Sequence, residues 1–232
     1  MIVHLIDGTY ELFRHFYGLR RFNKGEDRPF GAAIGVMNTV LQMVETGATH
    51  VGVATDHVIE PFRNDLWPGY KTGEGIEPAL RAQFVPLEEG LAAMGVAVWP
   101  MVELEADDGL ASAAHLAAGD PNVEKICIWT PDKDLAQCVD GDRVVQIDRK
   151  SGKIRNADGV REKFGVDPHL IPDFLALGGD ASDGYPGIPG IGKTTAARLR
   201  MRHGSIENFP ESTLGQNLPV AGKFLNIKSS WT

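Results

Sequence analysis

The sequence predicts an α/β fold: a mostly parallel sheet with helices on both faces, followed by a small helical subdomain. Three observations predict it. Short apolar runs alternate with stretches of helical periodicity through the first two thirds of the 232 residues, and such alternation marks parallel strands joined by crossover helices. The runs Val51–Ala54 and Ile126–Trp129 are apolar at successive rather than alternate positions, which suits strands buried on both faces. After about residue 156 the alternation ends, helical stretches shorten, and Gly and Pro crowd residues 178–192.

The elements follow in order. Ile2–Ile6 is a short apolar strand ending at Asp7-Gly8. Thr9–Arg21 has helical spacing, with Leu12, Phe13, Phe16 and Leu19 apolar. Ala33–Glu45 is a second helix, with Ile34, Met37, Val40, Leu41 and Val44 on its expected inner face. His50–Thr55 reads as a strand ending at Asp56. Residues 57–76 read as loop, because Pro61, Pro68, Gly69, Gly73 and Gly75 interrupt any period. Glu77–Met94 is helical, with a bend expected near Pro86. Val96–Trp99 is a strand, Ala106–Ala118 an Ala-rich helix, Lys125–Thr130 a strand and Lys133–Val139 a short helix. Arg143–Asp148 is a further strand, and the turn Lys150-Ser151-Gly152-Lys153 predicts a hairpin into Ile154-Arg155.

A hydrophobic content of 43% suits one folded domain with a small appendage. Cys127 and Cys138 are too few for a disulfide framework and form no CxxC pair. They read as reduced core thiols of a cytoplasmic protein. The opening MIVHLID lacks the basic and apolar regions of a signal peptide. No uncharged apolar run reaches membrane-spanning length, so no membrane partner is expected. The net charge of −8 is unevenly spread: residues 1–148 carry 11 Lys/Arg and 23 Asp/Glu, residues 149–232 carry 12 and 8. The basic half suits an anionic partner, and the acidic half suits bound cations.

The acids have a pattern. In open α/β sheets, ligands gather at the carboxyl ends of the strands. The first strand ends at Asp7 and the second at Asp56; the strand at 96–99 leads to Glu105, Asp107 and Asp108, and that at 125–130 to Asp132 and Asp134. Asp180 and Asp183 join them if the helical region folds over that edge. Taken singly, each is better explained as a helix cap, since Asp favours the first turn. Four strand ends all carrying acids are harder to explain by capping. Crowded carboxylates repel unless compensated, and hard divalent cations with oxygen ligands compensate them best.

The segments MIVHLIDGTY, VGVATDH, PGYKTGEG, VELEADDGLAS, IWTPDKDLAQ and GGDASDGYPGIPGIGKTTA resemble, in that order, the motifs of the bacterial 5′–3′ exonucleases and flap endonucleases. The resemblance runs from Met1 to about residue 210. It implies a PIN-like (Rossmann-like) nuclease domain over residues 1–160. A helix–three-turn–helix DNA-binding subdomain, helix–hairpin–helix-like, would occupy residues 161–232. It implies a metal-dependent hydrolase that cuts DNA as a 5′–3′ exonuclease or structure-specific flap endonuclease, using two Mg²⁺ ions with Mn²⁺ as a substitute. Asp7, Asp56 and Asp107 would hold one ion, and Glu105, Asp132, Asp134 and Asp183 the other. Asp108 and Asp180 complete the set with their shares unassigned. Two ions about 4 Å apart can clamp the attacking and leaving oxygens of an in-line displacement. Lys71 of the GYK motif would stand beside the scissile phosphate. Arg14 and Phe13 occupy positions resembling a phosphate-contacting arginine and a base-stacking aromatic, although periodicity alone puts Phe13 in the core. Arg63 and Arg81 read equally as phosphate contacts or surface charge. His4, His15 and His57 read as structural or surface residues.

Gly187 to Thr194 satisfies the P-loop pattern GxxxxGK[ST]. A P-loop needs a strand before it, and GGDASDGYP cannot be one; Pro189 also removes an amide from the would-be phosphate cradle. No nucleotide cofactor is therefore expected. The segment reads better as a hairpin whose Gly187, Gly190 and Gly192 admit a DNA phosphate, with Lys193, Thr194 and the following helix start behind it. Arg198, Arg200 and Arg202 complete an expected basic face. Such contacts position a duplex without reading bases. The family often binds a monovalent cation, K⁺, at this hairpin.

Three positions depart from the family pattern: Glu74 stands near a usual basic residue, Gly184 where Asn is common, and Ala136 where Tyr is frequent. The arch expected from residues 70–90 is short, and residues 211–232 look unlike the helices that finish the fold, which suggests a shortened C-terminus. The expected partner is DNA with a 5′ end, flap or junction, met by a monomer, with any DNA polymerase a separate chain. A PIN-type ribonuclease and a catalytically weak junction binder are the rival readings.

Overall fold

The computed structural model describes residues 1–22 and 28–210. The chain forms two units, Met1–Pro61 with Gly73–Thr130, and Phe62–Thr72 with the chain from Pro131 onward.

The first unit carries the expected parallel sheet. Its strands are β1 (Ile2–Asp7), β2 (His50–Asp56), β3 (Ala97–Met101) and β4 (Lys125–Trp129), in the order β3-β2-β1-β4 with every pairing parallel. Its helices are α1 (Gly8–Phe22), α2 (Gly31–Glu45), α3 (Phe84–Ala93) and α4 (Ala106–Gly119). Ile6, Leu12, Phe16, Val36, Val40, Val53, Leu87 and Leu91 form the core between them. Each such side chain contributes roughly 1.5–3 kcal/mol on burial. Parallel register puts Asp7 opposite Ala54 and Asp56 opposite Met101, so both acids leave the carboxyl edge of the sheet.

Two helix expectations are corrected. In α2 the buried face is Ala32, Ala33, Val36, Val40 and Met43, while Ile34, Leu41 and Val44 are exposed. Apolar residues run almost all round this helix, so its period could not choose a face. The small residues won because they allow close approach: a Cβ on Gly35 would lie 2.4 Å from the His15 ring. The stretch around Pro86 does not bend there. A single turn at Pro78–Arg81 ends before α3, and Pro86 lies in the first turn of α3, where its missing N–H costs nothing. Gln83, at the break, accepts hydrogen bonds from the N–H groups of Ala32 and Ala33 at 3.0 and 3.1 Å and so caps α2.

In the second unit a single helical turn, Arg63–Leu66, interrupts the stretch expected as loop, and a 3₁₀ turn at Asp134–Cys138 stands where a short helix was expected. The predicted hairpin follows, β5 (Val144–Asp148) antiparallel to β6 (Lys153–Arg155). Then come α5 (Ala157–Phe164), α6 (Ile171–Gly178) and α7 (Lys193–His203). The reading of the chain had not marked α5, although both its ends are written in the sequence. Asn156 accepts a hydrogen bond from the Gly159 N–H at 3.0 Å, and Gly165 closes the helix at φ 72°. Tyr70, Val160, Phe174, Leu177, Tyr185, Ile188 and Phe209 belong to one core cluster. The expectation that residues 211–232 lack the helices that finish the fold falls outside the described residues.

Cys127 and Cys138 are free thiols, and burial pushes the Cys127 thiol up, keeping it protonated. Among the described residues no helix is long and apolar enough to cross a membrane.

Candidate metal centre

The first unit holds five of the nine candidate acids, and most of them begin helices. Asp7 accepts from the Tyr10 N–H at 2.8 Å and from the Thr130 hydroxyl at 3.2 Å, which caps α1. Gly8 allows this tight turn, since a Cβ there would lie 2.8 Å from Val53 and Thr55 side-chain atoms. Asp56 accepts from the Ala106 N–H at 2.8 Å, so a strand-end carboxylate caps α4 across 50 residues of sequence. Glu105 and Asp108, both buried, form the capping box of α4, with Asp108 accepting from the Glu105 N–H at 2.8 Å. Asp107, in the first turn of α4, is half-buried. Asp7, Asp56 and Asp107 do not bring three ligand atoms within 4.8 Å of one another.

The second unit is arranged otherwise. Asp134, Asp180 and Asp183 each place a carboxylate oxygen within 4.8 Å of the others, at exposures of only 3, 2 and 8%. Two backbone hydrogen bonds between Asp180 and Tyr185, at 2.9 and 2.8 Å, close the loop that carries Asp180 and Asp183. The Asp134 N–H donates to Asp132 at 2.9 Å, fixing the start of the 3₁₀ turn. The hairpin braces Asp132, just before this turn: Arg155 donates to Gln146 at 2.7 Å, and Gln146 donates to the Asp132 carbonyl at 2.6 Å. Lys133 pairs with Asp180 at 2.8 Å and donates to Ser182. Burial pushes the Lys133 ammonium down, but the Asp180 hydrogen bond and the charges of Asp180, Asp132 and Asp134 outweigh it and raise its pKa.

This donor set fits a hard divalent cation. It is all oxygen, with no thiolate or imidazole, which is the ligand class of Mg²⁺, Mn²⁺ and Ca²⁺. Three buried carboxylates at this spacing carry a charge that a dication would offset.

The candidate cations fare unevenly. Arg14 pairs with the buried Glu11 at 2.6 Å. Phe13 is half-buried and packs edge-on against Phe84 at 6.3 Å, as its helical period suggested. Arg63 is 0% exposed with its guanidinium 4.8 Å from the Phe62 ring, so it is neither surface charge nor positioned as a surface phosphate contact. Arg81 is exposed and lines a cleft of about 580 Å³ with His57, Glu60, Glu74 and Phe84. Lys71 is half-buried, its ammonium 5.8 Å from the Tyr70 ring. His57 lies 2.8 Å from the buried Glu88, which also accepts from Thr55 at 2.6 Å, and His4 accepts from the Trp129 indole at 3.1 Å; both fit structural roles.

The glycine-rich hairpin divides its labour. A Cβ on Gly187 would lie 2.4 Å from the Gly179 nitrogen, so this glycine serves a backbone crossing inside the unit. Gly190 and Gly192 face open space, beside exposed Lys193, Thr194 and Arg198. Arg200 leaves the expected basic face: it is buried and paired with Asp173. Helix α6, not a strand, precedes the hairpin, in keeping with the rejection of a P-loop.

A family model described as 5′-3′ exonuclease, N-terminal resolvase-like domain, matches residues 2–165, and one described as 5′-3′ exonuclease, C-terminal SAM fold, matches residues 166–225. DNA polymerase I of Pseudomonas aeruginosa is 35% identical over 228 residues, covering 94% of this chain but only 24% of that protein. A 5′-3′ exonuclease of Buchnera aphidicola is 35% identical over 207 residues, covering 88% of this chain and 68% of that protein. The chain therefore spans about a quarter of the polymerase and two thirds of the Buchnera exonuclease. Among solved structures, bacteriophage T5 5′-exonuclease with bound divalent zinc superposes with a TM-score of 0.72 at 18% identity, covering 99% of this chain and 89% of that one. The T5 flap endonuclease in a complex with DNA and metal ions superposes with a TM-score of 0.77 at 18% identity, covering 100% and 91%. At such identity these two likenesses establish the fold.

Proposed function

The chain belongs to the 5′-3′ exonuclease family, and from that premise we propose that it is a divalent-metal-dependent nuclease that hydrolyses DNA at 5′ ends and flaps. The observation that carries this reading is the buried group of Asp134, Asp180 and Asp183. Mg²⁺ is the ion proposed, with Mn²⁺ able to replace it, because oxygen-only ligands and a phosphate substrate suit both. Asp134, Asp180 and Asp183, with Asp132 beside them, are the proposed ligands in the second unit. Asp7, Asp56, Glu105, Asp107 and Asp108 are those proposed in the first. When bound, such ions supply charge neutralisation and activated water for an in-line displacement at phosphorus.

The chain's own residues do the rest. Lys193 and Thr194 open α7, whose free N–H groups and positive dipole end favour a phosphate. Open backbone at Gly190 and Gly192 lets a DNA strand approach closely, and Arg198 adds charge; K⁺ at this hairpin belongs to the same proposal. Lys71 and Arg81 are the proposed contacts to the cleaved strand. Binding of this kind tolerates any sequence and weakens steeply with salt. The product carries a 5′-phosphate, and a separate DNA polymerase is the partner such an activity would serve. The chain is proposed to act as a monomer in the cytoplasm.

The test is cleavage of a 5′-labelled flap duplex in Mg²⁺, in Ca²⁺ and in EDTA, with a matched RNA flap alongside. Mg²⁺-dependent cutting of the DNA flap is expected. Equal cutting in EDTA would end the metal-dependent reading, and preference for the RNA flap would replace the substrate.

A further inference from the structure

The nuclease reading leaves Lys133, in the second unit, without a role. It sits between Asp132 and Asp134, at the start of the 3₁₀ turn, and its ammonium turns to a loop 47 residues further on. There it lies 2.8 Å from Asp180 Oδ1. The same oxygen accepts from the Ser182 hydroxyl at 2.7 Å and from the Ser182 N–H at 3.1 Å. Lys133 also donates to the Ser182 hydroxyl oxygen. One oxygen of one carboxylate is thus held by three donors, within a group whose members otherwise bring only negative charge.

We infer that Lys133 is a built-in counter-cation of the Asp134, Asp180 and Asp183 group, holding these acids together in the ion-free protein and competing by charge with the divalent ion they bind. The inference rests on the proposed metal site and deepens it. Three carboxylates within 4.8 Å in a buried setting repel strongly. A tethered ammonium offsets part of that repulsion at all times, whereas an ion from solution offsets it only when bound. The two cations act on the same carboxylates, so each weakens the need for the other. Lys133 therefore makes the fold of the second unit less dependent on metal, and makes the metal bind less tightly than the acids alone would hold it.

The experiment uses the full chain as unmodified protein, Lys133→Met and Lys133→Arg. Thermal midpoints are read in EDTA and in millimolar MgCl₂ or MnCl₂, and Mg²⁺ affinity is read by calorimetry. The unmodified protein should gain stability with either ion. Lys133→Met should melt lower in EDTA, recover most of the loss in Mg²⁺, and bind Mg²⁺ about tenfold more tightly. Lys133→Arg, which keeps the charge, should behave like the unmodified protein. A Lys133→Met protein that loses the same stability in both buffers has lost a packing contact, and that overturns the inference. So does one that is unfolded in both buffers, or one that binds Mg²⁺ no more tightly than the unmodified protein. If the unmodified protein neither shifts with metal nor cuts the flap duplex, the proposed function falls as well. If it does both while Lys133→Met responds as it does, only the role of Lys133 falls.

Discussion

In the first unit, acids stand at helix starts, where backbone N–H groups answer their charge; in the second, three acids crowd into one buried group beside a lysine. Asp7 and Asp56 each accept a backbone N–H at 2.8 Å, and Glu105 with Asp108 closes a capping box. Asp134, Asp180 and Asp183 share a space 4.8 Å across, with Lys133 on Asp180. The difference teaches that capping and metal binding are not rival explanations of one carboxylate. A carboxylate offers about four lone-pair sites, and a cap uses one or two of them. Capping fixes where the group points, which is what a ligand needs. A tight group of acids instead needs charge from elsewhere.

The largest effect that would break the contrast is at Asp134. Asp134→Ala should lower flap cleavage by about three orders of magnitude, the scale of losing several kcal/mol of transition-state charge stabilisation. The variant should keep the circular dichroism of the unmodified protein. Unchanged cleavage would show that the second unit's group is not part of the chemistry. Next in size is Asp56, where cap and ligand can be separated. Asp56→Asn keeps an oxygen for the Ala106 N–H and should retain stability while losing about a hundredfold in rate. Asp56→Ala should lose a similar rate and also about 1 kcal/mol of stability in urea titration. If Asn cuts normally, Asp56 is a cap alone.

Two smaller effects sharpen the contrast in how each unit is held. Gly184→Asn would install the residue common in the family, yet it should destabilise by about 2 kcal/mol or more, from strain and a steric clash. Gly184 has φ 75°, and a Cβ there would lie 1.9 Å from the Gly69 carbonyl oxygen. Here the second unit relies on backbone meeting backbone. Gln83→Ala in the first unit strips two N–H groups of α2 of their acceptor and should cost about 1–3 kcal/mol. It should leave the rate per folded molecule unchanged, which a flap assay below the unfolding transition would check.

Much of the molecule is legible in the sequence. The strands at Ile2, His50 and Lys125 and the Ala-rich α4 lie within a residue or two of where periodicity put them. The refusal of a P-loop at Gly187–Thr194 rested on chain context and agrees with the helix found before it. Other readings failed where two elements had to meet. The inner face of α2 was misread because apolar residues surround it. Arg63 was read as a phosphate contact or surface charge, and Arg200 as part of a basic face, because an arginine in a sequence carries no sign of its partner. Gln83 passed unnoticed because its target lies 50 residues away.

Side-chain period, turn residues and the rule that acids at strand ends share an edge are local quantities, and the amino-acid order alone determined them. It determined the α/β alternation, the hairpin and the list of candidate acids. Which acids are tied to backbone N–H groups, which crowd together, and which cation sits among them were decided by tertiary structure. The reason is that a carboxylate's energy depends on the few ångströms around it, and those are filled by residues such as Ala106 at Asp56 and Lys133 at Asp180 that come from distant parts of the chain.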